Sequence, residues 1–204
     1  MSLFELNHNL PTNGTGATIG PPRRSFGTGT PSVALADAIG ELQTDTDVHY
    51  VSAGAWALHD LIRYCLDRTG PGDVIGFTWS MTNSAIDAIL DMIGSGWIRR
   101  FSLVMDTTHA RLAGGAFETI RQHCERSRLC SIHAKGFTLA AGAWRISCAT
   151  SQNLTQNPRY EIGVLSTCPR VYDFHRAWLD PLLDGGDPLD VETVSKHVPR
   201  EGGD

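Results

Sequence analysis

Between residues 47 and 127 the chain alternates short apolar runs with amphipathic stretches, and this alternation constrains the fold more than any other feature. The runs at 47–52, 73–79 and 99–106 have strand length and strand composition, with Val74, Ile75, Phe77 and Trp79 in the second and Phe101, Leu103, Val104 and Met105 in the third. Between the first two, Trp56, Leu58, Leu61, Ile62, Cys65 and Leu66 predict a helix that stops at Gly70-Pro71-Gly72. Ile86, Ile89, Leu90 and Ile93 predict another over 80–93, capped by Ser80 or Thr82 and ended by the glycines at 94 and 96. A long helix is expected over 107–127, amphipathic through Phe117, Ile120 and Cys124, and a short one over 33–42 on Leu35, Ile39 and Leu42. Strand–helix repetition of this kind argues an α/β fold with a mixed, largely parallel sheet flanked by helices.

The pattern changes beyond residue 130. His133 and Lys135 stand two apart, so on an extended strand both side chains project from one face, and Ser151, Asn153 and Thr155 keep the same spacing. A hairpin turning near Ala140-Ala141-Gly142 would set these segments side by side and gather an imidazole, an ammonium, a carboxamide and hydroxyls into one polar patch suited to phosphate. A strand over 161–167 and a helix over 171–183 follow. Residues 1–32, rich in Gly, Thr, Pro and Asn around Pro21-Pro22-Arg23-Arg24, read as an N-terminal arm, residues 33–184 as a single domain, and residues 185–204 as a tail.

Charge and motif content narrow the classes. The net charge of -5 argues against a polybasic surface and leaves room only for a local basic groove. No apolar run approaches the length of a membrane span, and Met1-Ser2-Leu3-Phe4-Glu5 lacks the basic and apolar regions of a secretory signal, so no membrane association is expected. Five cysteines without C-x-x-C spacing fit neither a disulfide framework nor a zinc site, and a reducing, cytoplasmic setting is expected. G-x-S-x-G, Walker and HExxH motifs are missing, and the histidines other than His133 are scattered. The five tryptophans sit in apolar segments and read as core.

His133-x-Lys135, followed by Ser151-x-Asn153-Leu154-Thr155 and Glu161, resembles the phospholipase D superfamily, whose motif is H-x-K with an Asp five residues after the Lys, then G-S-x-N. Ala140 stands where that Asp is usual and Thr150 where the Gly is usual. The resemblance spans roughly residues 48–180 and implies one half-domain of the family's fold. With a single H-x-K, it further implies a homodimer that assembles one site from two subunits. By the same resemblance the activity is phosphodiester cleavage without metal or cofactor, through a phosphohistidine. His133 would be nucleophile in one subunit and acid in the other, Lys135 and Asn153 would hold the phosphoryl oxygens, and Ser151 would support them. Glu161 would hold a neighbouring basic group or the histidine. Nucleic acid is the expected substrate and partner. The alternatives are a catalytically inactive nucleic-acid-binding or assembly module of the same fold, and a lipid-headgroup phosphodiesterase.

Overall fold

The structure, a computed structural model, describes residues 15–18, 31–112 and 116–185. They form an α/β domain: β1 (Thr15–Thr18), α1 (Pro31–Ile39), β2 (Asp47–Val51), α2 (Leu58–Thr69), β3 (Gly72–Thr78), α3 (Asn83–Gly94), β4 (Ile98–Asp106), α4 (Thr107–Leu112), α5 (Ala116–Arg121), β5 (Arg126–Cys130), β6 (Gly136–Ala141), β7 (Trp144–Thr150), β8 (Ile162–Ser166) and α6 (Pro169–Leu183). The strands make one sheet in the order β1-β2-β8-β7-β6-β3-β4-β5.

The sheet is mixed, as the sequence pattern implies, but the balance falls on the antiparallel side. Among the described strands, only β3 with β4 and β4 with β5 pair in parallel, while β3–β6, β6–β7, β7–β8, β2–β8 and β1–β2 are antiparallel. Chain length explains the difference. A parallel pair needs a crossover of a dozen or more residues, whereas β6 turns straight into β7 through Gly142, whose φ of +53° suits glycine.

The long helix expected over 107–127 is instead two short ones, α4 and α5, followed by the edge strand β5. Thr82 is the residue before α3, as expected, but its hydroxyl pairs with the Ser84 hydroxyl at 3.0 Å rather than capping the helix. Of the expected N-terminal arm, residues 15–18 form β1 and residues 31 and 32 begin α1; residues 1–14 and 19–30 lie outside the described residues, as do residues 186–204 of the expected tail.

Strand β3 has neighbours on both faces, which is why its sequence reads as a continuous apolar run. Val74 joins Leu61, Ile62, Ile86, Ile89, Phe101 and Leu103 in the larger core, under α1, α2, α3 and α5. Ile75 and Phe77 face the other way and pack with Val104, Ile132, Leu179, Leu182 and Leu183 against α6. Helices therefore cover both faces.

Strand directions fix where side chains can gather. β2, β3, β4, β5 and β7 run one way and β6 and β8 run the other. The last residues of the first group and the first residues of the second accordingly share one end of the sheet. At β3 the chain moves outward to β4 and β5 and later returns on the other side as β6, so this end contains a topological switch point, where open α/β sheets commonly bind ligands.

Candidate functional site

That end of the sheet holds His133, Lys135, Ser151, Asn153 and Glu161, and it also holds four residues that the sequence did not single out for a site. Trp79 and Ser80 follow β3, Asp106 ends β4, and His109 lies on α4.

His133 and Lys135 are not on a strand, contrary to expectation. Residues 132–135 are irregular, and β6 begins at Gly136. The strand starts at a position that only glycine can fill. Gly136 has φ +153°, and a Cβ there would collide with the Cys148 carbonyl oxygen and come within 2.7 Å of Phe77 Cζ. The chain enters the sheet through a backbone conformation that a side chain would block. The two motif residues still share a neighbour. The His133 ring meets Trp79 edge-to-face with centroids 5.6 Å apart, and the Lys135 ammonium lies 5.9 Å from the centre of the same indole. His133 is exposed, whereas Lys135 is only 8% exposed. Burial pulls the Lys135 pKa below the usual lysine value, and the Glu161 carboxylate draws it partly back. Lys135 Nζ donates to the His133 carbonyl at 2.6 Å, which occupies one of its three donors.

Asn153 is fixed from the β3 side. Its Oδ1 accepts the Ser80 N–H at 3.2 Å and lies 3.3 Å from the Thr78 hydroxyl, which donates to the Ser80 carbonyl at 2.8 Å and accepts the Leu154 N–H at 3.2 Å. A backbone N–H can only donate, so the atom facing Ser80 must be the amide oxygen. The Asn153 NH2 is thereby turned away from these partners as a donor. A parallel bridge between Met81 and Leu154 and a Thr82 N–H bond of 3.0 Å to the Leu154 carbonyl hold the two segments together.

Ser151 has a different position from the one its spacing suggests. Its hydroxyl donates to Glu161 Oε2 and accepts the Ile162 N–H at 3.1 Å, so it pins Glu161 at the start of β8. The Glu161 carboxylate acts on Lys135 only through its charge, raising a pKa that burial lowers. The Thr150 N–H donates to the Lys135 carbonyl at 3.0 Å and joins the two motif segments directly.

Ala140 is remote from this cluster. It sits near the far end of β6, opposite Asp73 on β3 and Arg145 on β7. Five residues of strand from Lys135 amount to about 17 Å, so a carboxylate at position 140 would not reach a group held by Lys135. Position 140 is therefore not part of the His133 cluster.

Asp106 is buried and ties the start of α4 to the segment before His133. Oδ1 accepts the N–H of Thr108 at 2.8 Å and of His109 at 3.4 Å, and Oδ2 accepts the Ile132 N–H at 3.2 Å. Burial raises the Asp106 pKa, but the three backbone bonds outweigh it and hold the carboxyl below its ordinary value. Asp before Thr-Thr at a strand–helix junction is a capping pattern that the sequence displays. Trp79 was expected in the core, but it is half-buried beside two imidazoles and an ammonium. Its place at the end of a parallel strand was the available signal.

Cavities formed by the described residues include one of about 240 Å³ beside Asp73, Arg100 and Arg126, at the opposite end of the sheet, and one of about 370 Å³ beside Trp144, Arg145 and Cys168. Neither contains His133, so the candidate site is judged by its donors and not by enclosed volume. No group of three or more metal-ligating side chains occurs among the described residues, and no helix among them is long and apolar enough to cross a membrane.

Fold and site together define an α/β domain with a polar cluster of imidazole, ammonium and carboxamide at the switch point of a mixed sheet. No family model matches the chain, and no curated protein matches it. Among solved structures it is similar to a polyphosphate kinase from Porphyromonas gingivalis, at 14% identity and TM-score 0.48, over 69% of this chain and 26% of that one. It is also similar to TrmBL2, an archaeal chromatin protein described as having a novel mode of DNA binding, at 10% identity and TM-score 0.43, over 69% of this chain and 54% of that one. The chain thus spans about a quarter of the first and about half of the second. Likenesses this distant decide neither family nor activity.

Proposed function

We propose that this chain is a metal-independent phosphodiesterase of the phospholipase D type, acting on nucleic acid through a phosphohistidine on His133. The observation that carries the reading is the orientation of Asn153. Its oxygen is engaged by the Ser80 N–H, which leaves the NH2 as a donor on the same end of the sheet as the Lys135 ammonium and the exposed His133 imidazole. A phosphodiester needs a nucleophile at phosphorus and fixed positive donors for its equatorial oxygens. His133 supplies the first, and Lys135 and Asn153 supply the second. Ser151 and Glu161 act from behind, Ser151 by fixing Glu161 and Glu161 by keeping Lys135 charged against its burial.

Trp79 favours a nucleic-acid substrate over a lipid headgroup, because a half-buried indole beside the cation offers a stacking surface for a base. The motif's resemblance assigns the leaving-group acid to the His133 of a second copy, in a two-fold homodimer. A second reading, phosphate binding without turnover, is favoured by the Lys135 bond to the His133 carbonyl, which engages the cation with the protein itself.

The experiment compares wild type with His133→Ala on single-stranded DNA, duplex DNA, RNA and bis(p-nitrophenyl) phosphate. Turnover by wild type and its loss by several orders of magnitude in the variant, with unchanged folding, is the expected result. Equal nucleic-acid binding by both proteins and turnover by neither would replace the enzyme with the binding module.

A further inference from the structure

Cleavage through His133 requires a proton donor for the leaving oxygen, and the fold sets a second imidazole of the same chain against the indole that His133 meets. His109 packs edge-to-face on Trp79 with centroids 3.9 Å apart. The same indole meets His133 at 5.6 Å, so the two imidazoles are separated by no more than the sum of these distances. Their backbones are held together independently of the indole. One buried carboxylate, Asp106, takes the N–H of His109 on Oδ1 and that of Ile132, the residue before His133, on Oδ2. His109 is half-buried, so its ring is neither sealed in the core nor free in solvent.

Resting on the phosphodiesterase reading, we propose that His109 is the general acid and base of this site, so that one chain carries both imidazoles the reaction uses. In the first step a lone pair on the His133 imidazole forms a bond to phosphorus. The bond from phosphorus to the leaving oxygen breaks with its electron pair on that oxygen, and the His109 imidazolium gives it a proton, releasing an alcohol. In the second step water attacks phosphorus and neutral His109 takes the water's proton. The N–P bond then breaks, its pair returns to His133, and a phosphomonoester leaves. Self-association is then not required for turnover, which separates this arrangement from one in which a second copy lends its His133.

Two measurements test the assignment. In the first, wild-type protein labelled on its histidine rings is titrated with inorganic phosphate and followed by NMR, with His133→Ala and His109→Gln used to assign the two rings. Both rings should shift along one saturation curve. Movement of His133 alone would overturn the role of His109 and leave the phosphate site standing, whereas movement of neither, up to tens of millimolar phosphate, would overturn both. In the second, His109→Gln and His109→Asn, each checked for native thermal unfolding, are assayed on two diesters. Loss of a positioned acid should slow release of an alkoxide by about a hundredfold or more, and should slow release of p-nitrophenolate by much less. Rates equal to wild type on both substrates, or equal losses on both, would overturn the acid role.

Discussion

Asp106→Asn tests the hinge of the site with almost no change in shape. The carboxylate serves Thr108 and His109 from one oxygen and Ile132 from the other. An asparagine has one carbonyl oxygen, so it can serve α4 or the segment before His133, but it presents an NH2 to whichever N–H remains. The Ile132 bond, between an N–H of a buried residue and an ionised acceptor, belongs to the class worth about 1.5–3 kcal/mol. Facing two donors at each other removes most of that, so the expected cost at neutral pH is about 2–3 kcal/mol, or roughly 5–10 °C in melting temperature for a chain of this size. Urea unfolding read by tryptophan fluorescence gives the difference from the midpoint and slope. The pH dependence has a definite sign. The folded-state pKa of Asp106 is depressed, so its contribution is fully present above the ordinary carboxylate range and fades as pH falls through the lower folded-state value. The gap between wild type and variant should therefore shrink on acidification. A cost below about 0.5 kcal/mol, or a gap that widens as pH falls, would refute the clamp.

Two further outcomes follow from the geometry. Gly136→Ala drives a methyl into the Cys148 carbonyl and against Phe77, in a backbone conformation that disfavours side chains, and should cost more than about 3 kcal/mol; thermal unfolding checks it, and a melting temperature within a degree or two of wild type would contradict the proposed entry to β6. Because the proposed charge stabilisation comes from Lys135 and Asn153, diester cleavage should persist in EDTA; activity that vanishes with chelator and returns with magnesium would require a different mechanism.

Much of the sheet was legible locally. Strands β3 and β4 are covered on both faces, so their sequences are apolar enough to stand out. Strand β5 was not legible, because Arg126 gains its place in the sheet from Asp180 and Asp184 on and just after α6, partners more than fifty residues away that no local pattern reveals. The His133-x-Lys135 pair is visible as a motif, but a spacing of two suggests a strand, whereas β6 begins only at Gly136, a position that a side chain could not occupy. His109 looked scattered for a related reason. Its neighbours Trp79 and Asp106 sit at the ends of two adjacent strands, and adjacency of strand ends is a property of topology.

The two borders of the sheet are guarded by different means. On the β5 side the guard is built in, since Arg126 and Arg128 place charge along the outermost strand and ion pairs to Asp180 and Asp184 tether it to the body. On the other side the guard is β1, a strand of 4 residues laid along β2 and flanked on both sides by chain outside the described residues. A protease cut or an N-terminal truncation that released β1 would uncover the hydrogen-bonding groups of Asp47–Val51, beside the buried Val48 and Tyr50. The uncovered border would then be a template for any extended peptide, including the same border of another molecule, so preparations trimmed before residue 19 would be the ones to form strand-exchanged oligomers or precipitate.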